Sequence, residues 1–133
     1  MSVYLGVDYG KKHIGVAVAD GPLASPLASL SLSDHLAADL CRLAKRHSAT
    51  GIVIGLPEGS LQAEIISFRA SLAKVFSGMV ALHPETLSTK EAVAALRAGG
   101  ASRKKLQNDH VYAACLILED YLESAKLEGI KEV

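Results

Sequence analysis

The sequence predicts an α/β domain in which helices pack on a mixed sheet of five strands. Three observations carry that prediction. Apolar residues recur with a period of two through the first twenty positions, as strands require. From Ser33 onward helical and strand patterns alternate, the order that builds parallel strands joined by crossover helices. Ile52, Val53 and Ile54 form an unbroken apolar run of the kind found in a parallel strand covered on both faces.

In the first element Val3, Leu5 and Val7 alternate with Tyr4, Gly6 and Asp8. Ile14, Val16 and Val18 resume the period after a turn, giving a β-hairpin that ends at Asp20. From Gly21 to Leu32 the alternation continues around Pro22 and Pro26, which predicts an edge strand entered through a proline-bearing turn. Ser33 is placed to cap a helix running to His47, with Leu36, Leu40, Leu43 and Ala44 on one face. A strand follows over Gly51 to Leu56 and Pro57 ends it. Ile65, Phe68, Leu72 and Phe76 fall at helical intervals between Ser60 and Phe76, and Met79 to Leu82 reads as the next buried strand. Ser88 with Glu91 is a capping box, opening a helix through Ala92, Ala95 and Leu96 that stops at Gly99 and Gly100. Arg103, Lys104 and Lys105 read as a basic loop. Asn108 and Asp109 then cap a last helix that turns Val111, Ala114, Cys115, Leu118 and Leu122 inward. The expected domain spans residues 1–124, and 125–133 read as a charged tail.

A chain of 133 residues accommodates one domain with a real core. Its 14 basic and 14 acidic residues cancel, so no global field draws it to nucleic acid and any such attraction must be local. Cys41 and Cys115 lie in apolar helical patterns without metal-ligand spacing, as buried thiols in a reducing compartment would. Met1 leads straight into the first strand and no apolar run is long enough to span a bilayer, so the expectation is a soluble cytoplasmic protein with no membrane partner.

The chemistry is concentrated in acids at element junctions. Asp8 interrupts an apolar strand, where a carboxylate is costly to bury without a cation or polar partner. Gly6, Gly10 and Gly15 surround it, removing side chains where a backbone, a phosphate or a metal must come close, and Gly10 would also permit a turn with positive φ. Glu85 follows a strand and Asp109 opens a helix, so the fold could bring three acids together beyond the carboxyl ends of the strands. Two carboxylates ~4 Å apart repel by ~4 kcal/mol at an effective dielectric near 20. Such a cluster therefore calls for protons or divalent cations, and hard oxygen ligands favour Mg2+ or Mn2+. A pair of ions roughly 4 Å apart could activate water and stabilise the leaving oxygen in phosphodiester hydrolysis. Gly10, Lys11 and Lys12 at the hairpin tip, with Arg103, Lys104 and Lys105, would hold the phosphate backbone. Blander accounts exist for each residue: Glu85 as a surface acid, Asp109 as a helix cap, the lysines as a solvated loop. None of His13, His35, His47, His83 and His110 has metal-ligand spacing, and only His83 and His110 fall near the proposed site.

Four motifs, VDYGKKHIGVAVAD within Val3 to Asp20, IVIGLP at Ile52 to Pro57, ETLST at Glu85 to Thr89 and NDHVYAACLILEDYL at Asn108 to Leu122, together resemble the YqgF or RuvX group of RNase H-like nucleases. That group is described as pre-16S rRNA nucleases and as Holliday-junction-resolvase-like proteins. The resemblance implies an RNase H-like fold, Asp8, Glu85 and Asp109 as metal-binding catalytic acids, and a precursor rRNA substrate involved in ribosome biogenesis. A resolvase of branched DNA is the alternative, and it would need a homodimer rather than a monomer. Where the family usually has Asp-Glu-Arg, this chain has Pro84, Glu85 and Thr86, and Glu58, Gly59 and Ser60 replace a longer loop. Loss of the arginine removes a planar phosphate donor, so a catalytically weakened nucleic-acid-binding protein is a further reading. The DYGKKHIG segment is also similar to the phosphate loop of actin-like ATPases, but the chain is too short for their two lobes.

Overall fold

The computed structural model describes residues 2–85 and 103–127. Five strands, β1 (Val3–Tyr9), β2 (His13–Ala19), β3 (Ser25–Ser31), β4 (Ala49–Leu56) and β5 (Met79–Pro84), form one sheet in the order β3-β2-β1-β4-β5. The first three are antiparallel neighbours, whereas β4 runs parallel to β1 and β5 parallel to β4. Three helices are described: α1 (Leu36–Arg46), α2 (Gln62–Val75) and α3 (Arg103–Leu127). The predicted helix between Ser88 and Gly99 lies outside the described residues. Among those described, no helix is long and apolar enough to cross a membrane.

The two sheet faces follow from the period of two. Leu5, Val7, Ile14, Val16, Ile52, Ile54 and Val80 meet Leu36, Leu40 and Ala44 of α1 and Ile65 and Leu72 of α2. Tyr4, Ala17, Ala19 and Val53 meet Ala114, Ile117, Leu118 and Leu122 of α3. On this second face the sheet is lined with glycine. A β-carbon at Gly15 would come within 2.0 Å of the His110 carbonyl oxygen, one at Gly6 within 2.8 Å of that of Ala114, and one at Gly55 within 2.5 Å of Ile117 Cδ1. Helix α3 therefore lies directly on the sheet backbone.

Several sequence expectations shift in the structure. Ser33 does not cap α1: its hydroxyl accepts from the His35 N–H at 3.1 Å, within a turn before the helix begins. Strand β5 runs on to Pro84 and forms a sheet edge, with Met79 exposed rather than buried. The Arg69 side chain donates to the Val80 carbonyl at 3.0 Å and so covers part of that edge. The basic segment is not a loop. Arg103, Lys104 and Lys105 are the first residues of α3, because Arg, Lys, Leu and Gln are good helix formers and the helix starts before Asn108. Asp109 is consequently an interior helical residue and not a cap. The same helix runs past Ser124 to Leu127 and buries Ala125, so its last turn takes in the start of the expected tail.

Candidate active site

Strand β1 delivers Asp8 to the α3 face, since Leu5, Val7 and Tyr9 take the opposite side. Asp8 pairs with Gly15 across the β1–β2 ladder, and the α3 backbone at His110 sits on Gly15. The start of α3 is thereby brought over Asp8. Asp8 is the penultimate residue of β1, and parallel pairing of β1 with β4 and of β4 with β5 brings the carboxyl ends of the three strands to one edge. The Glu85 N–H donates to the Leu56 carbonyl at 3.2 Å, which extends the ladder and fixes Glu85 just beyond β5.

Asp8 and Asp109 are the two buried charged residues among those described, 9% and 1% exposed. Asp8 Oδ2 lies 2.6 Å from His110 Nδ1. An ionised carboxylate only accepts, so the ring proton sits on Nδ1 and is donated to Asp8. The His13 ring is tilted by 48° to that of His110, their centroids 6.4 Å apart, and Lys11 and Lys12 are exposed in the adjoining turn. Gly10 serves this corner by its size. Its φ is not positive, contrary to the sequence expectation, but a β-carbon there would come within 2.6 Å of His110 Cε1.

Glu85 follows a different strand, β5. Strand β4 separates β5 from β1, two strand spacings or about 10 Å. Among the described residues no three His, Cys, Asp or Glu side chains form a group able to hold a metal ion, so the compact three-acid cluster expected from sequence is not what these side chains form. The remaining donors still suit Mg2+ or Mn2+. Mg2+ is commonly held by one or two carboxylates, completing its shell with water and substrate phosphate, and Asp8 and Asp109 offer hard oxygens in a buried setting. The side chains of Arg103, Lys104 and Lys105 lie outside the described positions.

Two further contacts brace the site. Tyr9, next to Asp8 on the opposite face, donates its hydroxyl to Glu64 of α2 at 2.5 Å and packs on Phe68. Burial, and then the Glu64 carboxylate, push the Tyr9 phenol well above its ordinary pKa. His83 Nε2 meets Asp120 Oδ2 at 2.5 Å, joining the end of β5 to α3, and its ring stacks edge-on against Tyr121. The sequence places His110 near the proposed site but does not pair it with Asp8. Its signal was its place beside Asp109 on a helix that must cross a glycine-lined sheet.

The sequence matches the family described as "RuvX: Holliday junction resolvase" over residues 2–124. A relative from Chlamydia muridarum, named "Putative pre-16S rRNA nuclease", is 37% identical and covers 93% of each chain. One of the same name from Rickettsia canadensis is 32% identical over 92% of this chain and 86% of its own. Among solved structures, RuvC of Thermus thermophilus in complex with a Holliday junction substrate superposes with a TM-score of 0.60 over 94% of this chain and 97% of its own, at 15% identity. The Fowlpox virus Holliday junction resolvase gives 0.54 over 92% and 98%, at 14% identity. At these identities both show a shared fold.

Proposed function

The chain belongs to the RuvX family, and on that premise we propose that it is a metal-dependent nuclease that hydrolyses phosphodiester bonds of precursor 16S rRNA. One observation carries the reading: an aspartate set into an apolar strand, nearly buried, with the start of a helix bearing a second buried acid laid over it. Burying two carboxylates without a cation is costly, and a nuclease site is a setting in which that cost has a use.

Asp8 and Asp109 would hold Mg2+ or Mn2+, with Glu85 contributing from beyond β5. When bound, the metal supplies Lewis acidity, activating water and stabilising the departing oxygen. The protein's own groups do the rest. Asp8 is fixed by the sheet and by His110, so its carboxylate needs no reorganisation when substrate arrives. Lys11 and Lys12, exposed at the hairpin turn, attract the phosphate backbone, as do Arg103, Lys104 and Lys105. With Thr86 where the family usually has arginine, no guanidinium stands beside Glu85, so phosphate capture falls to these lysines and arginines.

The test is cleavage of a labelled precursor 16S rRNA fragment with Mn2+, Mg2+ or EDTA, beside a four-way DNA junction. We expect metal-dependent shortening of the RNA that falls by more than about 100-fold in Asp8→Asn, beyond the usual effect of an outer-shell change. Symmetric cutting of the junction with intact RNA would replace the substrate assignment with branched DNA. Binding without any metal-dependent cutting would overturn the nuclease reading.

A further inference from the structure

We propose that His110 is the positioning residue for Asp8, a role resting on the metal-site reading above. The contact is short, 2.6 Å from Nδ1 to Oδ2, and it joins residues 102 positions apart in the chain. It is also built from three sides. Gly15 lets the helix backbone at His110 touch the sheet, Gly10 leaves space for the imidazole edge, and His13 stands beside the ring. A side chain at either glycine would displace the helix or the ring, so the sheet is shaped around this residue.

Physically, the Nδ1 proton occupies one lone pair of Oδ2 and selects one orientation of the carboxylate. Oδ1 and the remaining lone pair of Oδ2 are left to accept a cation. Hydrogen bonds that orient a ligating group typically contribute 10–100-fold in metal affinity. Asp109 lies on a different stripe of the helix. It precedes His110 in the chain and, by helical periodicity, shares a stripe with Ala113 and Ile117, the latter seated on Gly55. The helix thus contributes a buried acid from one stripe and an orienting imidazole from the next, the stripe through Ala114 and Leu118 that rests on Gly6.

The experiment is a Mn2+ titration followed by the electron paramagnetic resonance of the free ion, without nucleic acid, on the full chain and on Asp8→Asn, His110→Ala, His110→Gln and His110→Asn. Asparagine places an amide N–H2 at the position of Nδ1, glutamine places one nearer Nε2, and alanine removes the donor. Far-UV circular dichroism and melting curves verify that each variant folds. We expect His110→Ala and His110→Gln to bind Mn2+ about 10–100-fold more weakly, and His110→Asn to stay within about threefold of the parent. Tighter binding in His110→Ala would show that the imidazole competes with the metal, overturning the proposal while leaving the metal site standing. Equal weakening in the alanine and asparagine variants would reduce His110 to packing and overturn it as well. Mn2+ binding that ignores Asp8→Asn would remove the metal-site reading itself, and the role of His110 with it.

Discussion

The two faces of the sheet are built on opposite rules. Toward α1 and α2 the strands present large side chains, Leu5, Val7, Ile14, Val16, Ile52 and Ile54, and cohesion comes from apolar volume. Toward α3 they present Gly6, Gly15 and Gly55 with Ala17 and Ala19, and the helix comes close: its backbone meets the strands at Gly6 and Gly15, and the Ile117 side chain seats on Gly55. The chemistry sits on the second face. A glycine-lined surface brings a helix close enough for its side chains to reach a strand residue such as Asp8, whereas a layer of leucine and isoleucine would hold the helix away.

That difference predicts opposite tolerances. Adding one methyl to the glycine face should do more harm than removing one from the other. In Gly15→Ala the new β-carbon would collide with the His110 carbonyl and the Val111 nitrogen, both backbone atoms that cannot rotate aside. We expect a loss of about 3 kcal/mol or more, the upper range for overpacking, read from the denaturation midpoint. Ile54→Val, on the opposite face, should cost about 0.5–1.5 kcal/mol. A larger loss in Ile54→Val would break the comparison.

A smaller effect tests the link between the faces at Tyr9. Tyr9→Phe removes the hydroxyl donated to an exposed Glu64, and we expect a loss of about 1 kcal/mol at neutral pH. The pH dependence is more diagnostic. Because the folded-state pKa of Tyr9 is raised, the unfolded chain releases this proton first, at pH ~10. The stabilisation is complete below that pH and is lost as pH rises toward the folded-state value. Stability above pH 10 should therefore fall more steeply in the parent than in Tyr9→Phe. Parallel curves would mean that Tyr9 ionises as freely in the folded chain as in the unfolded one.

Which features were legible in the sequence follows from the same contrast. The volume-packed face announces itself, because Leu5, Val7, Ile14 and Val16 must alternate and Leu36, Leu40, Ile65 and Leu72 must recur at helical intervals. Five strands and the edge position of β3 were therefore readable. The glycine face carries no such signal. Gly15 suggests close approach, but nothing local says that His110 is what approaches. The start of α3 was misplaced because Asn108 and Asp109 are good caps, and a strong local signal outweighed the helix propensity of the residues before them. Asp8 was legible because a carboxylate in an apolar strand violates pattern. Its bond to His110 was not, since it depends on which turn of a distant helix crosses the sheet.

The two cysteines offer the mildest probe of the contrast, one on each side of the sheet. Cys41 sits on α1 and is half-buried, while Cys115 sits on α3 and is buried in the cluster on the glycine face. Burial raises the pKa of both thiols, and at Cys115 the Glu119 carboxylate adds to the effect. The thiolate is the nucleophile, so both should react more slowly than a free thiol at neutral pH and faster as pH rises. A helix lying directly on the backbone leaves a reagent less room than one held off by leucine and isoleucine side chains. Iodoacetamide followed by mass spectrometry should therefore label Cys41 first, with Cys115 protected until the chain unfolds. Equal rates at the two thiols would mean that α3 lifts from the sheet as readily as α1, and the glycine seat would then not hold the helix that carries the site.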